Sequence, residues 1–112
     1  MALGFIPAAR SWAEARAAAG LTSSSHDDMH AGELETSILL AAYPDYLRPG
    51  WHTSDHQHSD RRYLTTLGMH AYTHTGVIGQ PSLATPDKGR AVLDHLAKAA
   101  HPLVALLTGG QH

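Results

Sequence analysis

His26-Asp27-Asp28-Met29-His30-Ala31-Gly32-Glu33-Leu34-Glu35-Thr36-Ser37 gathers two imidazoles and four carboxylates beside two of the smallest residues. Imidazole nitrogen and carboxylate oxygen are the donors that borderline and hard divalent ions prefer, and they also carry acid/base chemistry. Gly32 lets backbone or substrate approach these groups closely. The run Ile38-Leu39-Leu40-Ala41-Ala42 then stops at Tyr43-Pro44-Asp45, so a helix is expected from about Gly32 to Ala42. Glu33 and Glu35 fall in its first turn, where the helix dipole favours carboxylates, so part of their presence has a structural explanation. Leu34, Ile38 and Ala41 or Ala42 recur at helical spacing and are expected to face a core, with Glu35 directed away from Leu34.

A chain of 112 residues makes one domain with a modest core. With no cysteine, disulfides and thiolate ligands are excluded. The formal charge of -2 gives no electrostatic case for nucleic acid or an anionic membrane. Ten histidines make the charge sensitive to pH, since an unperturbed imidazole titrates near about 6.5. The opening Met1 to Pro7 lacks a basic region and a long apolar run, and no stretch approaches the ~18 apolar residues of a membrane span. A soluble, cytoplasmic protein is the expectation.

Leu3 to Ile6 reads as a short buried strand. Ser11-Trp12-Ala13-Glu14 fits a capping box at a helix start, and the alanine-rich run to Ala19 ends at Gly20, suited to a left-handed cap. His26, Asp27 and Asp28 read as a solvated loop with an Asx-type turn. Leu47 to Trp51 is loop-like, with Trp51 as a lid over apolar surface. The pair His56-Gln57-His58 lies between aspartates and has two readings, a polar surface loop or a zinc-binding pair. Arg61 and Arg62 are placed to pair with Asp60. Tyr63–Thr66 and Ala71–Val77 have strand composition, with Gly68 as a bulge or turn and with His70 and His74 read as exposed or hydrogen-bonded rather than as ligands. The last helix has Thr85 as N-cap, Pro86 at its first position and Asp87 in its first turn, with Val92, Leu93, Leu96, Ala97 and Ala100 as its apolar face. Pro102 is expected to end or kink it near His101, and residues 109–112 to fray.

His30-Ala31-Gly32-Glu33-Leu34-Glu35-Thr36-Ser37, with its apolar helix and Tyr43-Pro44-Asp45, closely resembles the His-(Ala/Gly)-Gly-x-x-Glu-Thr-Ser signature of the creatininase (creatinine amidohydrolase) family. A second stretch, Gly76-Val77-Ile78-Gly79-Gln80-Pro81-Ser82-Leu83-Ala84-Thr85 followed by Lys88-Gly89, resembles the family's closing block, with Gln80 where an Asp is usual. The resemblance runs from about Gly20 to Leu96. It implies an α/β, partial creatininase-like layered fold, mostly parallel sheet with flanking helices, the N-terminal part of the domain being absent. The whole of 1–112 is then a single partial domain corresponding to the family's C-terminal half, since neither Glu-x-His nor Asn-Gly-His occurs in the sequence.

By the same resemblance the chain is a metal-dependent amidohydrolase acting on a cyclic amide or another small non-peptide carbon-nitrogen bond. His30 becomes the proton-transfer residue, Glu35 a metal ligand or the orienter of one, and Glu33, at a variable position of the motif, is left open between a metal ligand, a substrate contact and neither. His26, Asp27 and Gly32 fall at the substrate pocket. Zinc, manganese or iron is the implied metal, needing ligands from beyond this chain. The implied partners are a complementary N-terminal half or further copies in a homo-oligomer, because two or three strands and three helices leave apolar faces uncovered. Two other readings remain open: a non-catalytic subunit or remnant associating with a full-length relative, and a His-rich metal-binding module built on His26, His30, His56 and His58.

Overall fold

Helix α1 (Ala9–Ala19) closes with paired bonds from Leu21 N to the Arg16 carbonyl and from Gly20 N to that of Ala17, both 3.1 Å. This doubled bond, with Gly20 at φ 72°, is the Schellman arrangement that glycine permits. The structure, a computed structural model, describes residues 9–107, so the strand expected at Leu3–Ile6 and the tail 109–112 lie outside the described residues. The helix already includes Ala9, which places Ser11 inside its first turn; the capping box expected there is not the helix start.

Helix α2 (Glu33–Ala42) follows within one residue of its expected bounds, then come two 3-10 turns, Pro44–Tyr46 and Trp51–Thr53. Short helix α3 (Leu64–Leu67), 3-10 turns at Met69–Ala71 and Pro81–Leu83, and the long helix α4 (Pro86–Leu107) complete the chain. The Thr85 hydroxyl accepts the Lys88 amide at 3.1 Å, as its N-cap position requires. Helix α4 continues through Pro102 to Leu107, so Pro102 does not end it. No described helix is long and apolar enough to cross a membrane.

The expected mostly parallel α/β sheet is not formed: the described residues hold no strand, only two isolated antiparallel bridges, His30 with Ile78 and His56 with Gly79. At this crossing the 78–79 segment lies between its two neighbours. Met29 N and His30 N both donate to the Ile78 carbonyl at 2.9 Å, Ile78 N returns a bond to His30 at 3.0 Å, and Gly79 N donates to His56 O at 2.7 Å. The pairing cannot lengthen because Ala31-Gly32 turns straight into α2 on one side and Pro81, without an amide hydrogen, opens a 3-10 turn on the other. The strand assignments at Tyr63–Thr66 and Ala71–Val77 fail as well: the first runs into helix α3, and the second begins on the last residue of the Met69–Ala71 turn and continues as bends, with Gly68 at φ 78° between the two. Strand propensity there had no neighbouring strand to pack against.

Helix α4 packs on both α1 and α2 around a small core of Ala15, Ile78, Ala84 and Val92. The side of α2 that is fully enclosed is Glu33, Thr36 and Ser37, whereas the apolar pair Leu34 and Ile38 is only half-buried, along a groove shared with Trp12 and Met29. Helices α2 and α4 meet backbone to backbone: a Cβ on Gly89 would stand 1.9 Å from the Ser37 carbonyl oxygen and 2.9 Å from Ala41 Cβ. Leu93 and Ala97 are exposed, so only part of the expected apolar face of α4 is covered. Replacing Gly89 by Ala is therefore expected to lower the urea unfolding midpoint by an amount worth about 1–3 kcal/mol. An unchanged midpoint would show that the two helices do not pack this closely.

Candidate active site

The first turn of α2 places its two glutamates in opposite environments. Glu33 is fully buried and Glu35 is exposed. Two residues along a helix turn about 200° around its axis, which is enough to send one carboxylate inward and the other to solvent. Glu33 accepts the Thr22 amide on both oxygens at 3.1 Å, the Ser23 amide at 2.9 Å, the Ser23 hydroxyl at 2.6 Å and Lys88 Nζ at 2.7 Å. Lys88 also donates to the Leu83 carbonyl at 2.7 Å. These bonds saturate the Glu33 carboxylate and make it the knot between the 22–23 loop, α2 and α4.

Position 32, which should cap α2, is a glycine with no side chain to offer. Asp28 does the work instead: its two oxygens accept the Glu33 amide at 2.6 Å and the Leu34 amide at 2.9 Å, and Arg16 pairs with it at 3.0 Å. Asp28 is thus enclosed rather than part of the solvated loop expected for it. Gly32 is buried because Asp28 and Gly79 press on it: an added Cβ would stand 2.0 Å from Asp28 Oδ1 and 3.0 Å from Gly79 Cα. The close approach it permits is to the chain's own backbone.

His30 and Glu35 share a cavity of about 500 Å³ with Leu39, Arg48, Trp51 and Val77 among its other walls. His30 Nδ1 donates to the Gly76 carbonyl at 2.6 Å, which fixes the ring and leaves Nε2 without a partner among the described residues. Ala31 carries a positive φ of 54°, unusual without glycine, and the following turn grips it from both sides. Its amide donates to Glu35 Oε1 at 2.5 Å and its carbonyl accepts the Thr36 hydroxyl at 3.2 Å. Glu35 therefore holds the bend that presents His30.

His26 and Asp27 do not join this cavity. They lie on a separate surface, where His26 Nε2 donates to the Ser59 carbonyl at 2.7 Å and Arg61 donates to the His26 carbonyl at 2.7 Å. The Ser59 hydroxyl, 2.6 Å from Asp27, is the main cause holding that carboxyl below its ordinary range. Asp60 pairs with Arg62 at 3.0 Å, while Arg61 serves carbonyls. His56 Nε2 donates to the Tyr72 carbonyl at 2.6 Å, and the His58 ring packs edge-on against Tyr72 at 4.8 Å between centroids.

Among the described residues no three His, Asp or Glu side chains come together as a metal site. Even a one-metal catalytic centre takes three protein ligands, so His30 and Glu35 do not compose one. The His-rich module built on His26, His30, His56 and His58 is not assembled either.

The family model described as creatinine amidohydrolase matches residues 2–104. The chain belongs to the creatininase family. Neither the curated proteins nor the solved structures give a match. Membership suggests amidohydrolase-type chemistry, and creatininases are generally metal-dependent. Both creatininase blocks converge in the structure: Gly79 of the second crosses Gly32 of the first, and its Lys88 closes on Glu33. What sequence reasoning missed is the structural use of Lys88 and Asp28 and the presence of Arg48 in the cavity. For Asp28, the side-chain-free Gly32 at the cap position was the available signal.

Burial alone would raise the Glu33 carboxyl, but Lys88, the Ser23 hydroxyl and the Ser23 and Thr22 amides outweigh it and hold it below the ordinary range. The unfolded chain then binds more protons than the folded one between the two values. This contribution to stability is complete above about pH 4.3 and is lost as pH falls through the lower, folded value. Lys88→Met should cost about 3–5 kcal/mol at neutral pH by stranding a buried charge. Urea unfolding followed from pH 7 to 3 checks both points, and a Lys88→Met midpoint equal to wild type would refute the knot.

Proposed function

We propose that the chain supplies one wall of a metal-dependent amidohydrolase site, acting on a cyclic amide or another small non-peptide carbon-nitrogen bond. The observation that carries this reading is a single one: His30, anchored through Nδ1 and with no partner on Nε2 among the described residues, lines a cavity that it shares with Glu35. Amide hydrolysis adds hydroxyl to the carbonyl carbon and a proton to the departing nitrogen, which leaves poorly until it is protonated. A ring fixed on one side can carry that proton on the other without losing its position. Glu35 Oε2, unbound among the described residues, is available to orient water or a cation beside it.

Zinc, manganese or iron, the metals implied for such a site, need more donors than the described residues bring together. The reading therefore includes a complementary N-terminal segment carrying Glu-x-His and Asn-Gly-His, or further copies of the chain. Exposed Tyr43, Tyr46, Leu106 and Leu107 offer apolar surface for such association. The donor count also favours a second reading, a non-catalytic subunit that associates with a full-length relative.

The two are separated by mixing the chain with such an N-terminal segment in zinc or manganese and assaying a panel of cyclic amides. Hydrolysis is expected, falling about 10²–10⁴-fold with His30→Ala. An inactive mixture, or activity indifferent to His30→Ala, would defeat the catalytic reading. Association with a full-length relative whose activity ignores His30→Ala would support the subunit reading.

A further inference from the structure

The cavity facing His30 holds one more charged group, Arg48, on the loop after α2. Arg16 pairs with Asp28, Arg62 with Asp60 and Arg90 with Asp87, and Arg61 donates to the carbonyls of His26 and His58. The Arg48 guanidinium has no partner among the described residues. Its backbone is nevertheless held, because the Trp51 amide donates to the Arg48 carbonyl at 3.2 Å and the Leu47 amide to that of Pro44 at 3.2 Å. Arg48 and the half-buried Trp51 thus belong to one pinned loop, with Leu39, Val77 and Pro81 as apolar walls of the same cavity.

A guanidinium with unused donors in a cavity that an aromatic ring also lines is suited to a planar group that bears a carboxylate, which it can bind through two parallel N–H bonds. We propose that Arg48 makes the site selective for a small cyclic amide carrying one carboxylate, with Trp51 against its ring; this rests on the amidohydrolase reading above. The fixed charges of Arg48 and Glu35 cancel, so a bound monoanion leaves one unit of charge without an offset and a phosphate dianion leaves two, which ranks the carboxylate above the phosphate.

Calorimetric titration of the full chain with hydantoin-5-acetate, with neutral hydantoin and with inorganic phosphate tests this. The acid should bind about tenfold or more tightly than hydantoin at low salt, with the gap narrowing as salt rises. Arg48→Gln should bring the acid down to the affinity of hydantoin, and Arg48→Lys should keep part of the preference. Arg62→Gln, in a different groove, should keep all of it. Equal affinities, a preference that survives Arg48→Gln, phosphate competing as strongly as the acid, or no binding of either hydantoin would overturn the proposal. Because the readout is binding, a failed preference leaves His30-dependent hydrolysis of neutral amides standing. A preference found without that hydrolysis overturns only the amidohydrolase reading.

Discussion

A carboxylate with no solvent exposure holds this protein together: Glu33, closed over by Lys88, the Ser23 hydroxyl and the amides of Thr22 and Ser23. Taking a carboxylate out of water costs several kcal/mol, and only a nearby opposite charge with a full set of hydrogen bonds offsets it. Both conditions are met here, and together they fix where α2 begins relative to α4. Asp28 and Arg16 repeat the device one step upstream, tying α1 to the same helix start. With α2 set in that rotation, Glu35 and the bend carrying His30 have no place but the cavity side.

Much of the irregular chain between α2 and α4 is organised by imidazoles. His26, His30 and His56 each donate a ring N–H to a carbonyl far away in sequence, those of Ser59, Gly76 and Tyr72. Without a sheet, these carbonyls have no strand partner, and an unpaired polar backbone group is costly wherever water is excluded. An imidazole keeps that N–H when it takes up a second proton. The histidine richness that suggested metal binding is in large part a set of loop staples, and His30 differs in lining the cavity that Glu35 and Arg48 also line.

The helices were legible because their signals are local: the alanine run ending at Gly20, the apolar run ending at Tyr43-Pro44, and Thr85-Pro86-Asp87. The location of His30 and Glu35 was legible from the motif they share. The absent sheet was not, because Val77 and Ile78 have strand composition and only the flanking geometry of Gly32, Gly79 and Pro81 limits their pairing to single bridges. Nor was the division of labour between Glu33 and Glu35, since both suit the first turn of a helix and only a lysine 55 residues away separates their roles. Arg48 escaped notice because nothing in Leu47-Arg48-Pro49-Gly50 shows which way the loop folds.

The buried Glu33 carboxylate, rather than the local turn, immobilises the segment before the motif. Amide hydrogen exchange at Thr22 and Ser23 addresses this most directly, because by sequence both lie in a polar serine-rich loop with no helix partner. These two amides are expected to exchange as slowly as those in the packed middle of α2. Exchange at the rate of the exposed Ser25 amide would contradict it.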